Sequence, residues 1–500
     1  MKFVVICLLL VQGAFGQMQQ SDAQAYGSTI TATDLKDRLY VIASDSMEGR
    51  ETATPGLKKA AAYIENQFRL DGLLPAWHNE YQQKFPVYRD STEKVALAIN
   101  NVALKRDTDF AVSYNSGFNI TLQSGGVLFA GYGVSDSTRD DYADADARGK
   151  IVLVVPGAPQ KIVKRKKVEG RVPSLQELQK AAQEKGARAL LIVDQRFPRK
   201  PSGDKGNMYV KDYRKDTFPN TFFISDSVAT LIMGGDFAQL RKRSTTPPPP
   251  RHYPVQILLE LKKSTEHLES SNVIGMIEGT DKKDEAIIIT SHYDHLGKRD
   301  SIIYYGADDD GSGTATVLEL AETFAKAAAE GKRPKRSILF MTVSGEEKGL
   351  WGSAYYVEHP AFPLEKTSAN INIDMIGRVE SGRRDDSLNY VYIVGDNRMS
   401  SDLRPISETV NRQTLKFVLD YKFNDPNDPQ RIFYRSDHYN FAKNGVPAIF
   451  YFNGLHEDYH RPGDTPDKIN YELLAKRAQL IFFTAWEMAN RDEMLKRDLE

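Results

Sequence analysis

A chain of 500 residues exceeds what one hydrophobic core organises, and its length implies two or three domains. Hydrophobic residues make up 41% and charged residues 27%, which excludes a disordered chain. With 66 basic against 67 acidic residues the net charge is -1, so no global field recommends nucleic acid or an anionic membrane surface as a partner.

The chain opens MKFVVICLLLVQGAFGQ: a lysine, an apolar run too short to span a bilayer comfortably, then small residues at Ala14 and Gly16. This pattern predicts a cleaved export signal over residues 1–16 and a periplasmic or extracellular destination. Cys7, the only cysteine, falls inside it, so the mature chain has no thiol and any metal must be held by histidine and carboxylate. No later run is long and apolar enough for a transmembrane helix, which predicts no stable membrane insertion.

From Thr33 to Leu74, apolar residues at helical spacing on both sides of a Gly/Thr/Pro break predict two helices. Between residues 123 and 260 the texture changes. QSGGVLFAGYG, GKIVLVVPG and ALLIVD read as strands and SLQELQKAAQEKGA as an amphipathic helix, which makes a small α/β unit. The basic run KIVKRKKVEGR, residues 161–171, reads as a solvated loop. Pro247 to Pro250 favour an extended connector and a domain boundary nearby. From Ser271 onward the strand candidates EAIIITS, RSILFMTVS, ANINIDMIG, NYVYIVG and PAIFYFN alternate with helical segments. That alternation predicts an α/β fold with a mostly parallel twisted sheet flanked by helices.

Five pieces of this last region carry metal-ligand side chains where strands should end: SHYDHLG, GADDDGSG, SGEEKG, INIDMIG and HEDYHRPGDT. In an open α/β sheet, sites form in the crevice beyond the carboxyl ends of the strands. Three consecutive aspartates, Asp308 to Asp310, repel one another in a dry crevice unless a cation compensates. Taken alone they also fit a helix cap or a calcium loop. His292 is followed two residues on by Asp294, a spacing that suits a carboxylate orienting a metal-bound imidazole. His295 reads as a polar wall outside the metal's ligands. Glu346 and Glu347 together supply what metal-assisted hydrolysis needs, one carboxylate for the metal and one to move protons.

In this order HYDHLG, ADDDGSG, GEEKGLWGS, NIDMIG and YHRPGDT resemble the co-catalytic di-zinc aminopeptidases. These share a clan with glutaminyl cyclases, glutamate carboxypeptidases and the catalytically silent transferrin receptor. The resemblance covers residues 271 to 470. Upstream, EGRETATPGLKKAAAYI and GLLP are similar to the family's N-terminal helices, and the middle segment resembles a protease-associated domain. The implied organisation is a signal peptide at 1–16, peptidase segments at 17–110 and 263–500, and the inserted domain at 111–262. The resemblance implies a zinc exopeptidase fold with two zinc ions. It makes His292 and Asp374 ligands of one ion, Glu347 and His460 ligands of the other, and Asp309 the bridge. Glu346 is then the general base acting on a zinc-activated water, Asp294 the carboxylate behind His292, and Tyr459 a hydrogen-bond donor to the substrate oxyanion. Many members have Asn on either side of the bridging aspartate, where this chain has Asp308 and Asp310, a difference expected to alter metal affinity.

The reading that follows is an exported aminopeptidase acting on peptides. A dipeptidase or carboxypeptidase is the rival within the fold, and it needs a cation for a substrate carboxylate; Arg378, Arg435 and Arg461 are the candidates. A receptor-like binding protein on the same scaffold is expected to have lost metal ligands, and none of the five is missing here.

Overall fold

In the computed structural model the described residues are 22–114, 118–137, 139–157, 160–163, 166–169, 172–214, 218–242, 249–383 and 388–499. The amino-terminal apolar run with Cys7 lies outside them, as do Pro247 and Pro248. Of the basic cluster only the backbone of two short strands is described. Among the described residues no helix is long and apolar enough to cross a membrane.

The chain divides into two units. One joins the chain up to Pro86 with the chain from Glu269 onward; the other is Val87–Leu268.

The first unit begins with helices α1 (Ala32–Ile42) and α2 (Pro55–Leu70). Thr31 caps α1 by accepting the Asp34 N–H at 3.2 Å, which satisfies one of the free donors of the first turn. Pro55 opens α2, where its missing N–H costs nothing and its fixed φ already suits the helix. The sheet follows, from the end of β1 (Arg251–Ile277) through β2 (Lys282–His292), helix α3 (Gly313–Ala329), β3 (Arg336–Val343), β4 (Thr367–Ile373), β5 (Tyr390–Val394), β6 (Val418–Asp420) and β7 (Ala448–Phe452). Helix α4 (Tyr471–Asn490) closes the unit.

Strand order is β6-β5-β7-β4-β2-β3-β1. The four central strands, β3, β2, β4 and β7, are mutually parallel. β1 runs antiparallel to β3 on one side and β5 antiparallel to β7 on the other. Every residue of β3, β4 and β7 is buried, because helices cover both faces of such a sheet. This explains why RSILFMTV shows no alternation in the sequence. Phe324 of α3 packs against Phe340, Phe482 and Trp486, so α3, β3 and α4 share one core. Each such ring contributes about 1.5–3 kcal/mol through burial.

In the second unit, strands Ile120–Phe129, Ile151–Val154, Ala189–Val193 and Asn220–Ile224 run parallel, with Phe110–Val112 antiparallel at the end of the row. Helix Leu175–Glu184 starts with a capping box between Ser174 and Glu177.

The observed limits differ from the boundaries expected at 111 and 262. Tyr88, Arg89 and Ser91 pair with strand Lys205–Tyr209, and Phe110–Val112 pairs with Asn220–Ile224, so residues 87–110 belong to the inserted unit. Their partners lie a hundred residues downstream, beyond the reach of local periodicity. The second boundary falls inside β1, where no break in secondary structure marks it.

Candidate metal centre and active site

The four parallel strands end side by side, and each is followed at once by a polar segment. β2 ends in His292 itself, β3 precedes Glu346 and Glu347, β4 precedes Asp374, and the segment after β7 holds His456, Tyr459 and His460. A turn at 307–312, between β2 and α3, brings in Asp309.

Two triads result. In the first, His292 Nε2 lies 3.2 Å from Asp309 Oδ1 and 3.7 Å from Asp374 Oδ1. In the second, His460 Nε2 lies 3.1 Å from Asp309 Oδ2 and 3.1 Å from Glu347 Oε2. Asp309 therefore faces both groups, one oxygen to each. Glu346 stands beside the first triad, its Oε2 3.9 Å from His292 Nε2. The five residues expected as ligands and the expected base thus lie together.

Whether these residues suit a divalent cation can be judged from their polar atoms. His292 Nε2, Asp309 Oδ2 and Glu347 Oε1 are buried and make no hydrogen bond, although charged partners stand close by. Buried polar atoms are normally hydrogen-bonded, and orphaned ones are costly. No Lys or Arg forms an ion pair with Asp309, Glu346, Glu347 or Asp374 among the described residues. Imidazole and carboxylate are the donors zinc takes, and two clusters of three lie within mutual reach, His292 with Asp309 and Asp374, and His295 with Asp309 and Glu347. The donor set fits.

The electrostatics follow from burial and crowding. Burial alone would strip His292 of its proton, but Glu346, Asp309 and Asp374 outweigh it and hold the imidazole well above its ordinary value. Burial likewise opposes charge on His460, yet Asp309 and Glu347 raise its pKa to about 10. Burial pushes Glu346 well above the carboxylate range, with Glu347 and Asp374 pushing the same way and His292 pulling back. The two glutamates are thereby separated, because Glu347, opposed by burial and by Asp309, is drawn below its ordinary value by His295 and His460.

The surrounding residues fix the loops. Asp310 accepts N–H groups from His292, Gly313 and Met375 at 3.2, 2.9 and 3.1 Å, tying the end of β2, the start of α3 and the end of β4 together. Asp308 accepts the Gly377 N–H at 2.6 Å. Asp464 accepts the N–H groups of both Asp308 and Asp309. Asp308 and Asp310, expected to add charge around the bridging aspartate, thus turn carboxylate oxygens to backbone donors, while the other Asp308 oxygen faces His456 Nε2 at 3.4 Å.

Asp294 differs from expectation. The His292 Nδ1 lies 3.0 Å from the backbone carbonyl of Asp294 and 3.8 Å from its carboxylate. The carboxylate is engaged elsewhere, accepting the Thr52 hydroxyl at 2.8 Å and the Glu346 N–H at 3.2 Å. It therefore positions the Glu346 backbone, while the backbone carbonyl takes the role of orienting the ring.

Tyr459 stacks on the His460 ring with centroids 3.8 Å apart, and its hydroxyl accepts from Arg435 Nη2 at 3.0 Å. Both residues line a pocket with Glu346, Asp374, Met375, Ile432, Phe450, Phe452 and Leu455. Arg378 is occupied by Glu457 and Asp458, so it offers no free cation.

Two residues escaped the sequence reading. His295, expected to stand outside the ligands, is fully buried, with Nδ1 2.9 Å from Glu347 Oε1 and 3.8 Å from Asp309 Oδ2. Gly306 permits this approach: it has φ +56°, and a Cβ there would sit 2.4 Å from the His295 ring. Arg50, fully buried, donates to the carbonyls of Ile42, Tyr293, Tyr305 and Gly306 at 2.8–2.9 Å. It ties the N-terminal segment to both ends of the loop that leads from β2 to the aspartates. The motif HYDH held the only available signal for His295; Arg50 had none beyond its place in EGRETATPG.

Residues 272–485 match the family model described as peptidase family M28. A probable zinc metalloprotease of Pyrenophora tritici-repentis is 26% identical over 264 residues, 45% of this chain and 52% of that protein. The chain thus spans about half the length of such relatives. Aminopeptidase YwaD of Bacillus subtilis is 23% identical over 473 residues, 91% of this chain and 84% of that one. The solved aminopeptidase from Aneurinibacillus sp. strain AM-1 superposes with a TM-score of 0.57 at 20% identity, covering 96% of this chain and 98% of its own. The region that carries both triads is the one that matches the model of peptidase family M28, and the chain shares its fold with that aminopeptidase.

Proposed function

We infer that the chain is a zinc-dependent aminopeptidase that removes N-terminal residues from peptides, with two zinc ions per chain and Glu346 as general base. The observation that carries this reading is the pair of triads sharing Asp309, with Glu346 beside them and, among the described residues, no Lys or Arg paired to any of the carboxylates. His292, Asp309 and Asp374 would hold one ion, and Glu347, His460 and Asp309 the other. When bound, zinc supplies Lewis-acid polarisation of the scissile carbonyl and acidifies water toward neutrality.

The chain's own groups do the rest. The Glu346 carboxylate takes a proton from the water that attacks the carbonyl carbon and returns it to the leaving amine. Tyr459 accepts its hydrogen bond from Arg435, which leaves its own O–H free to donate to the developing oxyanion. The acidic rim favours a cationic α-amine, and the apolar wall of Met375, Ile432, Phe450 and Phe452 favours an apolar side chain at the cleaved end. Its likeness to Aminopeptidase YwaD of Bacillus subtilis supports the same activity. The proposal extends to export through the amino-terminal run and to a protease-associated identity for the inserted unit.

One observation favours a second reading, a dipeptidase or carboxypeptidase. Arg435 lines the same pocket and makes no ion pair among the described residues, so it could receive a substrate carboxylate. One short peptide, offered with its N-terminus free and with it acetylated to zinc-loaded protein, separates the two. Cleavage of the free form only is expected; equal cleavage of both would remove α-amine recognition and promote the second reading.

A further inference from the structure

We propose that His295 is a fourth protein donor to the Glu347 site, which makes the two metal positions unequal: one closed by the chain, the other left open for substrate. The inference rests on the reading that the centre holds two zinc ions.

The His295 ring approaches Glu347 without aligning to it. His295 Nδ1 is 2.9 Å from Glu347 Oε1, close enough for a hydrogen bond, yet neither ring nitrogen makes one. Short approach without alignment is the geometry of two donors converging on a third body rather than on each other. His292 Nε2, an expected ligand, shows the same signature: 3.2 Å from Asp309 Oδ1 and no hydrogen bond. His460, by contrast, approaches the same carboxylates from a side that is 37% exposed.

The two imidazoles thus flank Glu347, His295 facing Oε1 and His460 facing Oε2. Their rings meet edge to face with centroids 6.0 Å apart. His295, Asp309 and Glu347 offer donor atoms within 4.8 Å of one another, as His292, Asp309 and Asp374 do. The ring is held in place from both sides. Its backbone N–H donates to the Arg50 carbonyl at 3.1 Å, and Gly306 leaves room for it where any side chain would collide.

The consequence is a difference in coordination. With His295 added to His460, Glu347 and Asp309, the Glu347 site would have four donors, which is the complement of a closed tetrahedral zinc site. The other has His292, Asp374 and Asp309, three donors, which leaves a position for substrate, next to Glu346. The Glu347 site should therefore bind zinc more tightly, and the His292 site should exchange.

X-ray absorption at the zinc edge of the wild-type protein tests this without mutation. Three imidazoles shared between two ions are expected. Two imidazoles shared between two ions would overturn the assignment of His295 while leaving the aminopeptidase reading intact. Absence of bound zinc would overturn that reading and this proposal together. Calorimetric titration of stripped His295→Ala with zinc gives the second arm: the tighter of two steps weakens more than about 100-fold, beyond the 10- to 100-fold typical of an outer hydrogen-bond partner, and the weaker step is unchanged. A tighter step that is unchanged or weakened by about 100-fold or less would overturn the proposal.

Discussion

The carboxylates of the two units are neutralised in different ways. In the inserted unit Asp194 follows strand Ala189–Val193, as Asp374 follows β4, but it is met by the guanidinium groups of Arg196 and Arg199. Burial would raise its pKa; hydrogen bonds from Arg196 and the charges of both arginines outweigh it and hold the group at about 2. Asp90, also buried, receives Lys263, Thr265 and Tyr209. In the first unit Asp309, Glu346, Glu347 and Asp374, gathered beyond the four parallel strands, form ion pairs only with imidazoles among the described residues, although Asp396 after β5 is met by Arg404. Both units place acidic side chains beyond parallel strands, so that placement alone does not make a catalytic centre. The missing arginine or lysine is what distinguishes them.

Ways to break this comparison can be ordered by size. Glu346→Gln keeps shape and removes the proton acceptor, so kcat/KM on an aminoacyl p-nitroanilide should fall by about 10²- to 10⁴-fold, or roughly 3–5 kcal/mol in the barrier. Zinc content and Tm should stay as in wild type; a fall of less than tenfold would remove Glu346 from the proton path. Arg50→Ala leaves four buried carbonyls without their donor, and denaturant unfolding should show a loss of more than about 3 kcal/mol. A loss under about 1 kcal/mol would mean that the aspartate loop stands without it.

The smallest effect sharpens the contrast. Asp194→Asn should lower stability by about 1 kcal/mol after allowance for solvent screening and leave hydrolysis unchanged. The sign follows from a folded pKa held below the unfolded value. The stabilisation is complete above the ordinary carboxylate range and is lost as pH falls toward about 2, so the gap between variant and wild type narrows on acidification. A gap that widened in acid would contradict the ion-pair account.

Much of the fold was legible because strand and helix candidates alternate, and β2, β3 and β7 carry the apolar runs AIII, ILFM and AIFYF, while β4, TSANINI, alternates apolar with polar residues. Four residues of the expected centre, His292, Glu346, Glu347 and Asp374, were legible for a related reason, since each lies within a few positions of a strand end; Asp309 and His460 lie farther out in loops and were marked by ADDDGSG and YHRPGDT instead. What the sequence hid depends on contacts between distant segments. Asp294 turns its carboxylate away from His292 because Thr52 and the Glu346 N–H claim it. His295 enters the centre only because Gly306 comes close enough from the next loop. Residues 87–110 join the inserted unit through partners that come later in the chain. None of these has a local period or a spacing rule.

The central claim is that a bound metal balances the strand-end carboxylates that no arginine or lysine reaches. The most direct test is to measure metal content and peptide hydrolysis of the same preparation before and after complete chelation, and again after zinc is restored. The account predicts two zinc ions per chain, loss of hydrolysis with their removal and its return with zinc. Full hydrolysis by protein stripped of every metal would contradict it.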